Sequence, residues 1–355
     1  MVNHETYMRR ALQLARLGLG HTFPNPMVGA VIVHDGHIIG EGYTSPYGGP
    51  HAEVNAIHSV KESHLLSKST LYVTLEPCSH YGKTPPCSDM IVKKGIAKAV
   101  IGTVDPHKKV AGKGIEKLKN SGVEVTTGVL EAECRHHHRR FLTFHIKKRP
   151  YIILKWAETQ DGFLAPEPEK RNHSPQPYWI SNPKSRQLAH QWRAEEQAIL
   201  VGTNTVLEDN PRLDVRQWAG TSPTRIVLDR NARVKGDYHV LDNTIETIFL
   251  TENTTTSPIG ENIRYLETGA ANGPVKNITN VLYRENILSV IIEGGAKTLN
   301  TFIEADCWDE ARIFTGPKRF QKGIKAPKIT GEQCSLQKIG NDTLRIIAND
   351  TKHSV

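Results

Sequence analysis

Three residues with the side-chain chemistry of zinc ligands, His51, Cys78 and Cys87, constrain this chain most, because any fold must bring them together from separate segments. A structural zinc site is closed by four protein ligands, whereas a hydrolytic site uses three and leaves one position for water. Glu53 lies two residues after His51 on the predicted first turn of a helix, where it can reach that water without being a ligand. The pattern therefore predicts a catalytic zinc site in which Glu53 transfers protons.

The spacing of these residues resembles the signature of zinc nucleobase deaminases, His-x-Glu followed by Pro-Cys-x2-Cys. In this chain eight residues separate Cys78 from Cys87. The longer segment from Glu76 to Cys87, EPCSHYGKTPPC, and the segment PNPMVG at 24–29 resemble the deaminase half of the bifunctional deaminase/reductase family of riboflavin biosynthesis. His80, between the cysteines, is either a further ligand or, as we expect, a loop histidine in contact with substrate or solvent.

The length and composition of the chain fit two folded domains. At 355 residues, the chain can bury two separate cores. Hydrophobic residues make up 38% and charged residues 23%, and no apolar run approaches the length of a membrane span. The N-terminus lacks the features of a secretory signal, so we expect a cytoplasmic protein without a membrane partner. Cys134, Cys307 and Cys334 are predicted to be free thiols.

The net charge of +8 does not by itself indicate a nucleic-acid partner, because the Lys and Arg residues are spread along the chain. A phosphorylated small-molecule substrate explains the charge equally well, and we expect no nucleic-acid partner. The densest basic cluster, at 136–140, lies near the end of a predicted helix, where cations suit the helix dipole. It is predicted to be a solvated face, with a metal role as the less favoured alternative.

The first half of the chain alternates helices and strands. Helical spacing of apolar residues predicts a first helix over 4–19, and Asp35-Gly36 predicts a hairpin. The candidate ligands His51 and Cys87 open two later helices. Further alternation of strands and helices predicts a mainly parallel sheet covered on both faces.

Two loops of the first half are candidates for a substrate pocket. Asn25 precedes the first strand, and in the resembled family an asparagine-containing loop forms part of the pyrimidine pocket; an ordinary Asn-Pro turn explains the residue equally well. Gly112 and Gly114 lack the third glycine of a dinucleotide fingerprint. We therefore interpret them as a turn that caps the next helix and borders the deaminase pocket.

A basic segment that ends in Pro150 separates two repeats of this alternation and predicts two domains, 1–146 and 151–355. Residues 165–178 contain four prolines among polar residues and are predicted to form an irregular loop. Strands and helices alternate beyond it, and the tail predicts a hairpin around Asn341-Asp342. Both domains are thus expected to be α/β.

The most specific feature of the second half is a predicted strand that ends in Glu293-Gly294-Gly295 and leads into a helix over 296–304. The two glycines allow the backbone to approach a ligand closely, and a helix N-terminus offers unpaired N–H groups to a phosphate. An anionic nucleotide suits such a site. Taken alone, the motif is equally compatible with an ordinary turn.

Five segments of the second half resemble the reductase domain of the same family in order and spacing, and they lie at 155–162, 179–181, 193–195, 205–216 and 293–295. The resemblance implies a dihydrofolate-reductase-like fold and NADPH as cofactor. The implied NADPH contacts are Glu158, Trp179, Thr205, Asp209, Gly295, Ala296, Lys297, Thr298 and Leu299. The implied substrate contacts are Arg193, Leu213, Arg216 and Glu293.

The arginines among these residues also suit a phosphate on physical grounds, because guanidinium groups bind phosphate in a bidentate way; a surface salt bridge is the alternative for each. Lys155 is a candidate for polarising or protonating the sugar oxygen. Three positions depart from the family pattern. Glu158 replaces a smaller residue, which favours a backbone contact there, Pro177 stands where a serine can contact substrate, and Arg230 stands where a small polar residue can meet the cofactor.

The resemblance implies an N-terminal cytidine-deaminase-like three-layer domain and a C-terminal dihydrofolate-reductase-like domain that catalyse consecutive steps of riboflavin synthesis. The first would use Zn2+ to hydrolyse the 2-amino group of 2,5-diamino-6-ribosylamino-4(3H)-pyrimidinone 5′-phosphate, and the second would use NADPH to reduce the ribosyl chain to ribityl. One alternative is a tRNA-adenosine deaminase, which the cysteine spacing and the second domain disfavour. The other is a noncatalytic metal-binding scaffold. This alternative is disfavoured because Glu53 lies near the metal without being a ligand. We also expect a homo-oligomer.

Overall fold

The structure is a computed structural model that describes residues 3–81, 85–106, 111–167, 175–252, 260–269 and 271–349. The chain divides into two compact units between Lys148 and Arg149. Across these described ranges, no helix combines the length and the apolar character needed to cross a membrane.

The first unit is built on a mixed sheet. Its strands are β1 (Gly29–His34), β2 (His37–Tyr43), β3 (Thr70–Leu75), β4 (Lys98–Thr103) and β5 (Glu124–Thr127), in the order β2-β1-β3-β4-β5. β1 pairs antiparallel with β2 and β3, whereas β4 pairs parallel with β3 and β5. The prediction of a mainly parallel sheet is therefore wrong here. The hairpin at Asp35-Gly36 reverses the chain, and the connection after β2 then passes over β1 before the chain enters β3.

Helices cover both faces of this sheet. They are α1 (His4–Ala15), α2 (Ala52–Ser59), α3 (Cys87–Lys93), α4 (Lys113–Asn120), α5 (Glu131–His137) and α6 (Arg139–Lys147). A Cβ on Gly29 would lie 1.9 Å from the carbonyl oxygen of Ala11 in α1, and one on Gly42 would lie 2.3 Å from Ala56 N in α2. Gly42 pairs with Ala30, the neighbour of Gly29, and adjacent strand residues face opposite sides. α1 and α2 thus pack on opposite faces, which gives three layers.

The basic cluster at the junction of α5 and α6 is partly buried. His138 is 1% exposed and Arg140 is 5% exposed, so the prediction of a solvated face is wrong at these two positions. The reason is that α5 ends and α6 begins around His138, which places its ring against β3, where Nε2 lies 3.1 Å from Thr74 Oγ1.

In the described part of the second unit, nine strands form one sheet in the order β11-β10-β9-β8-β12-β6-β13-β16-β15. These are β6 (Tyr151–Thr159), β8 (Ala198–Gly202), β9 (Thr224–Leu228), β10 (Thr247–Thr251), β11 (Ile263–Glu267), β12 (Ser289–Gly294), β13 (Glu310–Gly316), β15 (Glu332–Ile339) and β16 (Asp342–Ala348). The pairs of neighbouring strands from β11 to β13 are all parallel, whereas β16 pairs antiparallel with β13 on one side and with β15 on the other. The predicted hairpin around Asn341-Asp342 is confirmed.

Residues 165–178, predicted as an irregular loop, lie partly outside the described ranges. Phe163–Ala165 forms the short strand β7, which pairs with β14 (Ile324–Lys325), and residues 166–167 and 175–178 adopt neither helix nor strand.

Helices also pack on both faces of the second sheet. They are α7 (Pro183–Glu195), α8 (Thr203–Asp209), α9 (Pro274–Arg284) and α10 (Ala296–Glu304). Trp192 of α7 belongs to the same buried cluster as Ile291, whereas Phe302 of α10 packs in the cluster that contains Ile292. Because Ile291 and Ile292 are adjacent in β12, α7 and α10 lie on opposite faces of the sheet.

Candidate active sites

The structure brings together the three ligands predicted in the first unit. His51 is the residue immediately before α2, Cys87 is the first residue of α3, and Cys78 lies in the loop after β3. The Nδ1 atom of His51 is 3.6 Å from Cys78 Sγ and 3.3 Å from Cys87 Sγ. One ligand atom from each residue falls within 4.8 Å of the other two. Among the described residues, His80 is not a member of this cluster.

The cluster fits zinc in both chemistry and spacing. Nitrogen and sulfur ligands at about 2.0 and 2.3 Å from a tetrahedral ion lie about 3.6 Å from each other, close to the distances observed here. Hydrogen bonding from the Cys87 thiol, and additionally from His51 and the Cys87 N–H, lowers the pKa of the Cys78 thiol, whereas the contact with Cys78 and burial raise the pKa of Cys87. The Cys87 N–H lies 3.3 Å from Cys78 Sγ. A thiolate is the form of cysteine that binds a metal.

Glu53 lies beside the cluster in the first turn of α2 and is 4% exposed. Burial raises the pKa of this carboxyl group to about 7, with a further contribution from Cys78, while His51 acts in the opposite direction. Its carboxyl group also interacts with the Cys87 side chain. It is nevertheless not one of the three clustered residues.

Asn25, predicted in a substrate loop, lies half-buried in a turn before β1, where its N–H donates to the carbonyl oxygen of Thr22 at 2.9 Å. The same loop continues to Met27, whose carbonyl oxygen lies 2.8 Å from His137 Nε2. Gly29 N then donates to Thr74 Oγ1 at 3.2 Å. The half-buried His137 of α5 therefore holds the loop that carries Asn25, and the buried Thr74 of β3 holds the start of β1 that follows it.

One residue of the first unit has no role in the sequence-based prediction. Glu76, two residues before Cys78, is 4% exposed, and its carboxylate accepts hydrogen bonds from backbone N–H groups around Gly112 and Gly114. The glycine turn was predicted to cap a helix, but nothing in the local sequence indicates that Glu76 is its partner.

The second unit contains a cavity of about 1470 Å³ at the carboxyl ends of β6, β8, β9 and β12. Ordinary ligand pockets have volumes of roughly 300–1,000 Å³, so this cavity has room for a cofactor beside a substrate. Residues predicted from the sequence line it: Lys155, Trp179, Arg193, Thr205, Asp209, Leu213, Arg216, Glu293, Gly295, Ala296, Lys297, Thr298 and Leu299. Pro177 and Arg230 line it too.

Glu158 is the one predicted contact of this unit that does not line the cavity. Its carboxylate accepts hydrogen bonds from Trp156 Nε1 at 2.9 Å, Arg345 Nη2 at 3.1 Å and Thr315 Oγ1 at 3.2 Å. The side chain is thus engaged elsewhere, which leaves the backbone as the part of position 158 able to contact a cofactor.

Two helices begin at the edge of this cavity. α8 starts directly after Gly202 and α10 directly after Gly295. A Cβ on Gly202 would lie 2.6 Å from Thr298 Oγ1, so the end of β8 and the first turn of α10 approach closely only because this residue is glycine. The N–H groups of α10 suit an anionic group, as an NADPH phosphate requires.

A largely buried group of charges forms part of the cavity wall. Arg193 donates two hydrogen bonds to Glu293, and Lys155 Nζ lies 3.7 Å from Glu293 Oε2. Burial alone would raise the pKa of Glu293, but Arg193 and Lys155 outweigh it and hold that pKa at about 2. Burial lowers the pKa of Lys155, and Glu293 opposes this shift. Glu293 therefore remains ionised beside two cations.

Arg216 lies at the mouth of the cavity, with its side chain 41% exposed and paired with Asp214. The carbonyl oxygen of Asp214 accepts a hydrogen bond from Arg193 Nη1 at 3.1 Å. Arg230 is paired with Glu252 at 2.6 Å, and Arg233, a residue that no sequence motif indicated, donates to Asn204 Oδ1 at 2.5 Å. Arg233 also lines the cavity, and only its proximity to Arg230 in the sequence could have indicated this.

Comparison with known proteins assigns each unit to a protein family. The family described as the cytidine and deoxycytidylate deaminase zinc-binding region matches residues 1–103, and the RibD C-terminal domain matches residues 150–347. The riboflavin biosynthesis protein RibD of Aquifex aeolicus is 42% identical over 90% of this chain and 88% of its own length. The RibD of Escherichia coli is 35% identical over 88% of each chain.

Two solved structures are similar to this chain along nearly its whole length. The diaminohydroxyphosphoribosylaminopyrimidine deaminase/5-amino-6-(5-phosphoribosylamino)uracil reductase of Thermotoga maritima is 38% identical with a TM-score of 0.85, over 98% of each chain. A structure of RibD from Acinetobacter baumannii is 30% identical with a TM-score of 0.86, over 97% of this chain and 98% of that one.

Fold and sites together define a zinc deaminase joined to a reductase in one chain. The chain belongs to the bifunctional RibD family of riboflavin biosynthesis, and its two units carry out a deamination and a reduction in that pathway. Its cofactors are zinc in the first unit and NADPH in the second. Neither the RNA-acting deaminase nor the noncatalytic scaffold is supported.

Proposed function

We propose that the first unit hydrolyses the 2-amino group of 2,5-diamino-6-ribosylamino-4(3H)-pyrimidinone 5′-phosphate, with His51, Cys78 and Cys87 as zinc ligands. The observation that carries this proposal is the cluster of three ligands with the buried carboxylate of Glu53 beside it. Zinc, when bound, supplies a Lewis acid that activates water at neutral pH. Three protein ligands leave a coordination position open for that purpose.

Glu53 transfers the protons of this reaction. Its carboxylate accepts a proton from the attacking water and delivers protons to the ring nitrogen and then to the departing ammonia. The water oxygen becomes the new carbonyl oxygen, so atoms and charge balance. Asn25 contacts the pyrimidine, and this is supported by the hydrogen bonds that His137 and Thr74 make to its loop.

The second unit reduces the ribosyl chain of the deaminated product to give 5-amino-6-(5-phosphoribitylamino)uracil. NADPH supplies the hydride for this step. The residues that bind it are Trp179, Thr205, Asp209, the backbone of Glu158, and the segment Gly295, Ala296, Lys297, Thr298 and Leu299. Support comes from the α10 N-terminus at the cavity edge, which offers N–H groups to the cofactor phosphates.

The substrate of the reductase contacts Arg193, Leu213, Arg216 and Glu293. Arg216 is the more exposed arginine and suits the 5′-phosphate, because it lies at the cavity mouth. Lys155 is 15% exposed and polarises or protonates the sugar oxygen that receives the hydride. Glu293, ionised between Lys155 and Arg193, holds both cations in place.

One assay tests both halves of this proposal. The purified chain is given the diaminopyrimidine phosphate with and without NADPH, and ammonia and NADPH absorbance are followed. We expect ammonia in both reactions and NADPH oxidation only where deaminated product is formed. Adenosine deamination in tRNA, without ammonia release from the pyrimidine phosphate, would contradict the proposal.

The location, oligomeric state and binding partners of the protein are also proposals. We propose a cytoplasmic homo-oligomer that acts on a phosphorylated small molecule and binds neither nucleic acid nor membrane. The dispersed positive charge supports the small-molecule substrate. The exposed edge strand β15, where Leu336 is 59% exposed, supports association between copies. Light scattering coupled to size-exclusion chromatography measures the number of copies.

A further inference from the structure

The carboxylate of Glu76 is buried and surrounded by backbone N–H groups. Oε2 accepts hydrogen bonds from Asp105 N at 3.2 Å and Gly112 N at 3.0 Å, and Oε1 accepts them from Gly114 N at 2.9 Å and Ile115 N at 3.2 Å. A buried carboxylate is tolerated when hydrogen-bond donors replace the water it has lost. Four donors around one 4% exposed side chain fix its position closely.

These donors come from two places in the fold. Asp105 follows β4, whereas Gly112 caps α4 and Gly114 and Ile115 belong to its first turn. The first N–H groups of a helix have no partner within the helix, and a negative charge there is favourable. Glu76 thus joins the end of β3 to both ends of the connection between β4 and α4.

The backbone of Glu76 and Pro77 is also fixed by its neighbours. Glu76 N donates to Thr103 O at 3.0 Å, and a Cβ on Gly114 would lie only 2.0 Å from Pro77 O. The Glu76-Pro77 peptide is therefore enclosed between β4 and α4. Proline also restricts the backbone at position 77.

Cys78 directly follows Pro77, so the position of its Sγ depends on the four hydrogen bonds that hold the Glu76 carboxylate. We call this arrangement of Glu76 with Asp105, Gly112, Gly114 and Ile115 the Glu76 clamp. On its far side, Cys78 O accepts a hydrogen bond from Ser88 N at 3.1 Å, and Cys78 Sγ lies 3.3 Å from Cys87 N. The loop is thus fixed to α3 at one end and to Glu76 at the other. A shift at Glu76 moves Cys78 relative to His51 and Cys87.

We infer that Glu76 is a positioning residue for the zinc site, which sets the distance of Cys78 Sγ from the other two ligands without binding metal or substrate. This inference rests on the proposal that His51, Cys78 and Cys87 hold zinc. A role in folding alone predicts a different result, because it lowers stability and leaves the metal site of the folded protein unchanged.

The test compares Glu76→Gln with wild type in the full chain. The amide replaces one acceptor oxygen by an NH2 group that faces two backbone N–H groups, so the clamp loosens while the side-chain volume is kept. Zinc affinity is measured by competition with a chromophoric chelator, and the absorption bands of the cobalt(II)-substituted protein report ligand geometry. Groups that orient metal ligands typically change metal affinity by about 10- to 100-fold, and we expect a loss of that size with shifted cobalt bands.

Two control variants separate positioning from stability. Glu116→Gln changes an exposed carboxylate of α4, and its zinc affinity and cobalt spectrum should match those of wild type. Leu118→Ala removes a fully buried side chain of α4 and should lower the unfolding temperature while leaving zinc affinity and the cobalt spectrum of the folded protein intact. Wild-type zinc stoichiometry tests the metal site itself, since a wild-type chain without about one zinc would contradict the proposed function rather than the role of Glu76.

If folded Glu76→Gln keeps wild-type zinc affinity and cobalt bands, the inference is wrong. If Glu76→Gln does not fold, Gly114→Ala decides, because its added methyl would lie 2.0 Å from Pro77 O and 3.1 Å from Glu76 Oε1, so it displaces the Glu76-Pro77 segment while the carboxylate itself is kept. Weakened zinc binding in folded Gly114→Ala supports the positioning role, and wild-type binding overturns it.

Discussion

Arg193 holds the Glu293 carboxylate with two hydrogen bonds, from Nε at 3.1 Å and from Nη2 at 2.7 Å, although 100 residues separate them in the chain. The Arg193 side chain is 12% exposed and that of Glu293 is 10% exposed. The resemblance assigns both residues to substrate. Arg193 also donates to Asp214 O, so three of its five N–H groups are engaged and two remain for a substrate oxygen.

Arg193→Ala should reduce the reductase activity strongly. The substitution leaves the buried Glu293 with Lys155 as its remaining cationic partner in this group, and breaking a buried ion pair costs about 3–5 kcal/mol. Arg193 would also no longer bind substrate, and a hydrogen bond to a charged group contributes about 1.5–3 kcal/mol. The fall in kcat/KM should therefore be about 10- to 100-fold, measured by NADPH oxidation with the deaminated substrate. Arg193→Lys should recover only part of it, because the bidentate geometry is lost.

Ammonia release by the Arg193 variants should equal that of wild type, and Arg284→Ala, on the exposed end of α9, should retain both activities. Wild-type reductase kinetics in Arg193→Ala would place the substrate site elsewhere. Impaired deamination alone would contradict the division of labour between the two units.

Glu53→Gln should retain zinc and lose ammonia release. The amide keeps the shape of the side chain but cannot accept and return a proton, and general acid–base groups contribute about 10²- to 10⁴-fold to rates. Zinc is measured by elemental analysis and ammonia by a coupled assay. Glu62→Gln, an exposed carboxylate of the same unit, serves as the control. Loss of zinc from Glu53→Gln would instead identify Glu53 as a ligand.

Cys78→Ser and Cys87→Ser should each lose zinc and deamination together, because a hydroxyl is a poor substitute for a thiolate. The matched control is Cys134→Ala, which removes another buried cysteine of the same unit that is not part of the cluster. NADPH oxidation with deaminated substrate should persist in all three variants. Full zinc occupancy in both serine variants would indicate a different ligand set.

Local signals in the sequence predicted a large part of this architecture. The Asp35-Gly36 turn, the helices that open at His51 and Cys87, and the strand that ends in Gly294 are each encoded within a few residues. Turn chemistry and hydrophobic periodicity suffice for such elements. The metal cluster was predicted for the same reason, since its residue types and spacing are distinctive.

Features that depend on distant pairings were not predicted. The antiparallel pairing of β1 with β3 depends on sheet order, which no local pattern specifies. The Glu76 clamp joins residues 29 to 39 positions apart, and the Arg193–Glu293 pair spans 100. Helices were expected between several strands of the second unit, but no bounds were predicted for α8, Thr203–Asp209, which includes β-branched side chains of low helix propensity.

The position of Arg149 predicts where the second unit can be separated. Arg149 donates to Asp309 from Nη1 at 2.5 Å and from Nη2 at 2.7 Å, and Ile152 N donates to the same carboxylate at 2.9 Å. We propose that residues 149–355 form an independent reductase. A fragment that starts at 151 lacks Arg149, so Asp309, which is 7% exposed, loses its ion-pair partner. This fragment should be less stable than the fragment 149–355 by about 3–5 kcal/mol.

Denaturant unfolding of the two fragments measures this difference, and NADPH oxidation shows whether each is active. In the full chain, Arg149→Ala should lower the stability of the second unit, whereas Arg284→Ala should not. Equal stability of the fragments starting at 149 and 151 would show that the ion pair contributes little. An inactive but folded 149–355 fragment would contradict the proposed independence of the reductase.

Acid should destabilise the first unit through His138. This residue is 1% exposed, and burial lowers the pKa of its imidazole well below the ordinary value, with His137 adding to the shift. An unfolded histidine has a pKa of about 6.5. The stabilising contribution of the neutral ring is therefore fully present above about pH 6.5 and is lost as the pH falls toward the folded-state pKa, by at most about 1.4 kcal/mol per pH unit.

His138→Gln removes the titrating group, so its unfolding free energy should fall less than that of wild type between pH 7 and pH 5. Burial also lowers the pKa of His137, to about 4, with Arg139, Arg140 and Arg16 contributing, so part of the acid sensitivity should remain. The zinc ligands titrate as well, and they are the same in every variant compared. His64→Gln, whose side chain is 74% exposed in wild type, should keep the wild-type slope. An unchanged pH slope in folded His138→Gln would show that His138 is already protonated in the native protein at pH 5.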